Sequence, residues 1–298
     1  MTSIFLYEHV TAVGTRDSSL YREGRAMRDA IAADLLAIPG IDVHILESAS
    51  VDEFKKRAQR SDWSLIIAPE TDGILETCCT RVQKAGGRLL GPSPEAIRLA
   101  ADKWALARHF NEHGIPTPRT VRLGDESLAY PFVLKPRDGA GSQSTYLVTD
   151  KASEQAALSQ VDAANTLTQE FSLGNAGSVA VLCGPGETRA MQPCSQRLSA
   201  DGRFQYEGGQ TPIPHADRAA SLAVRAVRTV DGLLGYVGVD LVLGEHDVVI
   251  EINPRLTTSY IGLRQAADFN IAEAMLQIAE GRPVPAMRWH NELIHFVA

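Results

Sequence analysis

The densest chemistry in the sequence lies between Gly235 and Arg255, in the run Gly-Tyr-Val-Gly-Val-Asp-Leu-Val-Leu-Gly-Glu-His-Asp-Val-Val-Ile-Glu-Ile-Asn-Pro-Arg. A turn centred on Glu245-His246 makes this run a hairpin in which Asp240 faces Glu251, Gly238 faces Asn253 and Val242 faces Val249. Paired residues share one face of the ribbon. The other face then collects Val239, Leu241, Leu243, Val248, Ile250 and Ile252, all apolar, and burying that face fixes the register. Two carboxylates directly opposite repel each other, so a cation must offset them. Oxygen donors on one surface suit Mg²⁺, which takes one or two carboxylates plus substrate phosphates, and Asn253 adds a third donor. Arg255 follows the strand, and its guanidinium fork can bind a phosphate or carboxylate bidentately. The blander alternative is a solvated outer face with one unfavourable pair; the alternation that gathers all three polar groups together weighs against it.

A second group surrounds Lys135. The strand Phe132–Lys135 runs into Pro136-Arg-Asp-Gly-Ala-Gly-Ser-Gln-Ser144, and Tyr146 to Val148 resumes as a strand. Successive backbone N–H groups of such a loop form an anion-binding nest. It is not a Walker A loop, because G-x-x-x-x-G-K-[ST] is absent. Nor is it a dinucleotide fingerprint, because a strand follows it rather than a helix. A hairpin tip beside a lysine could fold over phosphates as a flap; an ordinary turn is the competing reading. Glu70 and Asp72 follow the apolar run Ser64 to Ala68, at the end of a strand where open α/β sheets bind ligands. They would suit an ammonium group, or simply cap a helix. No nucleophilic serine or cysteine is assigned. Gly-x-Ser-x-Gly is absent, and Cys78, Cys79, Cys183 and Cys194 contain no C-x-x-C and read as buried, inert thiols. His290 and His295 are five apart and share no helix face, so that stretch reads as a terminal strand or helix edge.

These groups need a scaffold, and the hydrophobic pattern supplies one. Short apolar runs at Ile4–Tyr7, Val43–Leu46, Ser64–Ala68 and Arg88–Leu90 read as strands. They alternate with helices over Arg22–Ile38, Val51–Arg60 and Ile74–Ala85, which implies a mostly parallel sheet. The first 95 residues therefore form a Rossmann-like α/β layer. Ser93-Pro94-Glu95 starts a helix, with proline at the first helical position. Asp102 caps another, which Gly114, Pro116 and Pro118 end. Ala152–Val161 and Ala216–Leu233 read as helices, and Thr166–Phe171, Val179–Leu182 and Ser195–Leu198 as strands. This second part is α+β.

The length of 298 residues fits about two domains. The formal charge of −7 argues against a nucleic-acid partner. The N-terminus lacks a basic n-region and no apolar run could span a membrane, so a cytoplasmic protein with free thiols is expected. An Ala-rich helix over Ala216–Val230 could serve a homo-oligomer interface.

Taken in order, Lys103 after Asp102, the strand Phe132–Lys135 with its Gly139–Ser144 loop, Thr168-Gln169-Glu170-Phe171, Gly238-Val239-Asp240 and Glu251-Ile-Asn-Pro-Arg255 resemble the ATP-grasp enzymes over roughly residues 90–262. The front part resembles the pre-ATP-grasp domain that precedes them. The resemblance implies a Rossmann-like pre-ATP-grasp domain over residues 1–95. A two-subdomain ATP-grasp fold would follow, with subdomain A over 96–165 and subdomain B over 166–298. It implies that Lys103 and Lys135 hold ATP phosphates and that Gly139, Gly141 and Ser142 close over them. Gln169, Glu170 and Phe171 would line the adenine pocket. Asp240, Glu251 and Asn253 would hold one or two Mg²⁺ ions, or Mn²⁺, and Arg255 would stabilise the transferring phosphoryl group. One departure is that Ser172-Leu-Gly-Asn-Ala-Gly-Ser178 lacks the acid that often binds ribose, with Asn175 the nearest substitute.

A narrower set, Glu8-His9, Ala68-Pro-Glu70-Thr-Asp72-Gly-Ile-Leu-Glu76 and Gly91-Pro-Ser-Pro-Glu95, is similar to the subgroup that includes tyramine–glutamate ligases. The implied reaction is ATP-dependent joining of a small-molecule carboxylate to an amine through an acyl phosphate. The same scaffold also admits a carboxylase, a phosphotransferase or a catalytically silent ATP-binding regulatory module. Glu8, Glu70 and Asp72 then become substrate candidates. Thr257 and Thr258, in the loop after the metal strand, are expected to contact the acceptor.

Overall fold

The computed structural model describes residues 1–14, 18–139 and 141–297; Ala140 of the glycine loop and the terminal Ala298 lie outside the described residues. The front domain runs β1 (Thr2–Glu8), α1 (His9–Val13), α2 (Ser19–Leu36), β2 (Ile41–Ile45), α3 (Val51–Arg60), β3 (Trp63–Ile67) and α4 (Ile74–Lys84). Its sheet is parallel, in the order β2-β1-β3. The strand expected over Arg88–Leu90 reduces to a single parallel bridge between Ser64 and Leu89, held by two backbone bonds at Ser64. The chain turns at once into Gly91-Pro92, which has too few residues left to extend the pairing.

Two helices, α5 (Pro94–Ala101) and α6 (Lys103–Glu112), lead into the second part. Ser93 caps α5 through Ala96 N–H, and Asp102 caps α6 through the N–H groups of Trp104 and Ala105. There follow β4 (Thr120–Arg122), β5 (Phe132–Pro136), β6 (Tyr146–Val148), α7 (Lys151–Leu158) and β7 (Thr166–Glu170). These strands make one antiparallel sheet in the order β4-β7-β5-β6. The strand at 166–170 therefore pairs with β5, and the division drawn at 165/166 from sequence falls one strand too early. It is β7 that leads out of this sheet into β8 of the next.

The remaining chain builds a larger sheet from β8 (Asn175–Cys183), β9 (Thr188–Ala190), β10 (Cys194–Leu198), β11 (Tyr206–Thr211), β12 (Gly235–Leu243), β13 (Val248–Asn253) and β14 (Ile294–Phe296). The main order is β13-β12-β8-β10-β11-β14, with β9 on β8. Helix α8 (Ala216–Val227) precedes β12; α9 (Ser259–Ala266) and α10 (Ile271–Ala279) follow β13. His295 sits in β14, as the terminal-strand reading expected.

Two cores fix the cleft. Ala219, Ala223 and Ala226 of α8 press onto Val179, Val181, Val237 and Val239 on one face of the large sheet. On the other face, Tyr260, Leu263, Met275 and Ile278 of α9 and α10 join Ile4, Leu6, Met27, Ile31 and Leu35 of the front domain in one continuous core. A polar clamp reinforces that junction. Asp34 of α2 accepts from the Tyr260 hydroxyl at 2.6 Å and pairs with Arg264 through two guanidinium nitrogens at 2.5 and 3.0 Å. Asn270 Nδ2 donates to the Asp34 carbonyl at 2.7 Å. The four cysteines are buried and unpaired. Burial pushes the Cys78 thiol up to about 11 and those of Cys183 and Cys194 up to about 12, which suits inert core residues. Among the described residues no helix is long and apolar enough to cross a membrane.

Asp34 is the one acid that both Tyr260 and Arg264 require. Asp34→Ala should lower the unfolding free energy by about 1–3 kcal/mol, the cost of stranding partly buried polar partners. Urea unfolding checks this, and an unchanged midpoint would contradict the clamp.

Candidate active site

The register expected for the acidic hairpin holds where the chemistry sits and slips beyond it. Gly238 pairs with Asn253, Val239 with Ile252 and Asp240 with Glu251. A bulge between Asp240 and Leu241 then puts Leu241 opposite Val249 and Val242 opposite Val248. The expected Val242–Val249 pair is thus replaced. Val249 becomes fully buried in the core with Leu241 and Leu243, while Ile250 lines the cleft. The cause lies at the sheet edge. Val249 N–H donates to the Pro116 carbonyl at 2.9 Å and the Thr117 hydroxyl donates to the Val249 carbonyl at 2.9 Å, covering β13 there. A bulge beside a site re-aims a side chain in this way.

The cleft has a volume of about 1020 Å³ and lies between the four-stranded and the large sheet. Its floor is the carboxylate pair. Asp240 accepts from Gln196 Nε2 and from Asn253 Nδ2, both at 2.9 Å. Glu251 lies 3.4 Å from the Lys103 ammonium. Burial and then the facing Glu251 raise the Asp240 carboxyl well above the usual range. Burial alone would raise Glu251 too, but Lys103 and Lys135 outweigh it and hold Glu251 ionised. The pair thus holds one carboxylate firmly ionised and one whose ionisation is disfavoured.

Three cations converge on this floor. Lys103 also donates to the Gly139 carbonyl at 2.9 Å, which ties α6 to the glycine loop. Lys135, at the end of β5, is 6% exposed. Burial lowers its ammonium to about 8, with Lys103 acting in the same sense and Glu251 and Asp240 opposing. Arg255 is held by Glu70, Nε to Oε1 at 2.9 Å, and its Nη1 donates to the Leu256 carbonyl at 3.2 Å.

The glycine loop is a hairpin tip between β5 and β6, as expected. Its backbone runs through positive φ at Gly139, Gly141, Ser142 and Ser144. The loop touches the front domain: a Cβ on Gly141 would lie 3.4 Å from Leu20 Cδ2. Asp138 accepts from the Asp72 N–H at 3.0 Å and from Asn165 Nδ2 at 2.7 Å, fixing the loop base. Gly139, Gly141 and Ser142 all line the cleft. At the far end, Gln169, Glu170 and Phe171 line it too, with Phe171 stacked near Phe204 at 6.3 Å. The Gln169 side chain donates to the Thr120 hydroxyl at 2.8 Å. Asn175, in the segment that lacks the expected acid, also lines this end.

The substrate candidates fare unequally. Glu8 is buried and caps α1, its two oxygens accepting from Val10 N–H at 3.0 Å and Thr11 N–H at 2.6 Å. A Cβ on Gly24 would meet that carboxyl at 2.6 Å, so only glycine lets α2 pack so closely. Glu70 is buried and forms an ion pair with Arg255 through Oε1, while its Oε2 is buried with no hydrogen-bond partner among the described residues. Asp72 is exposed and contributes its backbone N–H to the glycine loop. The capping alternative expected for Glu70 and Asp72 does not hold, since neither side chain makes a capping bond at the helix start that follows β3; the cap is made instead by Glu8, where none was expected. Thr257 and Thr258 do line the cleft. Thr257 bonds Tyr236 at 3.0 Å and Ser259 at 2.8 Å, and Gly238 has no Cβ because one would strike Thr257 at 2.5 Å. Sequence reading missed Gln196, Tyr206 and Glu23, all in the cleft wall. Gln196 reaches Asp240 only through the long-range pairing of β10 with β8, which spacing does not reveal.

A profile of the ATP-grasp domain matches residues 100–259, and one of the pre-ATP-grasp domain matches residues 25–97. The chain belongs to the ATP-grasp family. It is similar to a tyramine–L-glutamate ligase of Methanocaldococcus fervens, at 27% identity over 93% of this chain and 94% of the relative. Among solved structures it is similar to an ATP-grasp superfamily protein of Archaeoglobus fulgidus, with a TM-score of 0.76 and 28% identity over 97% of this chain and 91% of that one. An N5-carboxyaminoimidazole synthetase of Staphylococcus aureus complexed with ADP superposes with a TM-score of 0.76 at 14% identity, over 97% of this chain and 80% of that one; this likeness is one of fold. As an enzyme this ATP-grasp chain falls in the class of ATP-dependent carboxylate–amine ligases.

The lowered Lys135 ammonium has a consequence for nucleotide binding. Phosphate oxygens favour its charged form, so above about pH 8 ATP binding should take up a proton and weaken as pH rises. Calorimetry in buffers of different ionisation enthalpy checks this. Lys135→Arg, which stays charged, should flatten the dependence; an equally steep profile in that variant would refute the assignment.

Proposed function

We propose that this protein joins a small-molecule carboxylate to an amine in an ATP- and Mg²⁺-dependent reaction through an acyl phosphate, with L-glutamate and tyramine, or a similar aryl amine, as the leading pair. The observation that carries the reading is the convergence of Lys103, Lys135 and Arg255 on the Asp240–Glu251 pair in one cleft. The 27% identity to a tyramine–L-glutamate ligase over nearly the whole of both chains supports the choice of pair.

The donor set fits Mg²⁺. Asp240 and Glu251 face each other, Asp240 raised by burial and then by the Glu251 charge, and Asn253 uses its amide nitrogen on Asp240, leaving the amide oxygen as a third donor. When bound, the ion would neutralise phosphate charge at these three residues. Lys103 and Lys135 would hold the phosphates, and the loop at Gly139, Gly141 and Ser142 would cover them and exclude water. A carboxylate oxygen attacks the γ-phosphorus and the bond to ADP breaks. The amine nitrogen then attacks the acyl carbon, phosphate leaves and the nitrogen loses a proton. Phosphoryl transfer of this kind depends on positioning and charge neutralisation more than on covalent help. Arg255 would meet the charge that develops on the transferring group, with Glu70 fixing the direction of its guanidinium.

ADP formation should require L-glutamate and tyramine together when the protein is assayed against a panel of amino acids and amines. Arg255→Ala should cost on the order of 2–4 kcal/mol in kcat/KM. Unchanged turnover in that variant would sink the role given to Arg255, and ADP formation with no amine dependence for any pair would sink the ligase reading.

A further inference from the structure

Glu23 stands apart from the other recessed acids at the cleft; Glu170 also lines it but is exposed. Asp240 and Glu251 are engaged by Gln196, Asn253 and Lys103, and Glu70 by Arg255. Glu23 lines the same cleft, yet among the described residues no hydrogen bond or ion pair engages it. It is half-buried; burial raises its carboxyl, and the charges of Arg255 and then Arg22 oppose that rise. Its charge is also felt by Tyr206, whose hydroxyl bonds Thr258. Glu23 therefore belongs to the Arg255 end of the cleft, beside the threonine loop, and not to the Phe171 end.

Its position is built in by helix geometry. Glu23 and Asp34 are eleven residues apart on α2, about three turns, and so lie on one face. Asp34 fixes that face against Tyr260 and Arg264 of α9. The same contact sets that face of α2 beside α9, and Glu23 lines the cleft together with Thr258 and Ser259, where α9 begins. Gly24 adds to this by letting α2 close onto Glu8. A carboxylate held this firmly without a partner costs free energy that a cationic ligand group would recover.

We infer that Glu23 receives a primary ammonium group carried by a substrate. This rests on the ligase reading above and names the chemistry that its open end selects. The ammonium could come from the amino acid whose carboxylate is activated or from the amine that attacks, and the two sources are separable. The neighbours suit this ligand: Tyr206, Thr258 and Gln210 supply polar groups that can orient an ammonium or the rest of an amino acid. Arg255, already paired with Glu70, does not neutralise Glu23 by direct contact.

The test compares wild type with Glu23→Gln and Glu23→Asp, using steady-state ADP formation with L-glutamate, glutarate and tyramine. Glu23→Gln should raise KM for the ammonium-bearing substrate about 10- to 100-fold, with ATP affinity and unfolding midpoint unchanged. Glu23→Asp should restore part of the loss. If the amino acid is the source, wild type should prefer L-glutamate to glutarate and Glu23→Gln should lose that preference. If the amine is the source, only the tyramine KM should move. Unchanged KM values for both substrates in Glu23→Gln, with wild type active, would overturn this inference and leave the ligase reading standing. A wild-type protein that binds no ammonium-bearing member of the panel would overturn both.

Discussion

The opposition of Asp240 and Glu251 governs the rest of the structure. Facing carboxylates on adjacent strands are unfavourable, and here they are recessed in a cleft where water screens them less. They are tolerable only if positive charge is brought to them. Lys103 comes from the start of α6, Lys135 from the end of β5 and Arg255 from the segment after β13. Those three origins require the four-stranded sheet to stand over the large one, with the helix of Lys103 beside the glycine loop. The architecture reads as the means of delivering cations from separate parts of the chain to one pair of acids. Under the proposed function, substrate phosphates and a divalent ion would complete the same charge balance.

The front domain takes part in that balance rather than merely adjoining it. Glu70, after β3, fixes Arg255; Asp72 and Leu20 meet the glycine loop; Asp34 locks α2 onto α9. Each contact joins the front domain to an element of the second part that borders the cleft. The apolar core is continuous across the same junction, so the open end of the cleft is shaped by both parts together. Under the proposed function, this is where a substrate other than the nucleotide would sit.

Much of this was legible in the sequence, for identifiable reasons. The hairpin from Gly235 to Asn253 could be paired because strict alternation leaves one register that buries a full apolar face. Reading stopped at the bulge, because its cause is Pro116 and Thr117 covering the edge of β13 more than a hundred residues away in sequence. Asp102 announced a helix start because a capping carboxylate must precede its first free N–H groups. Glu70 looked like an ammonium ligand because strand ends in open sheets gather ligands. Nothing local reveals that Arg255 arrives to claim it. Glu23 heads the stripe Glu23, Met27, Ile31 on α2, an acid at the spacing of core residues. That signal was present, but it acquires meaning only once α9 and Tyr206 are known to lie opposite.

The central claim is that Asp240 and Glu251 form the cation-dependent floor of a nucleotide site. Calorimetric ATP binding with and without Mg²⁺, for wild type and Glu251→Gln, tests it most directly. Mg²⁺ should tighten ATP binding to wild type by at least about tenfold, and Glu251→Gln should lose most of that enhancement, since one of its two carboxylate ligands is gone. An equal Mg²⁺ enhancement in both proteins would contradict the account.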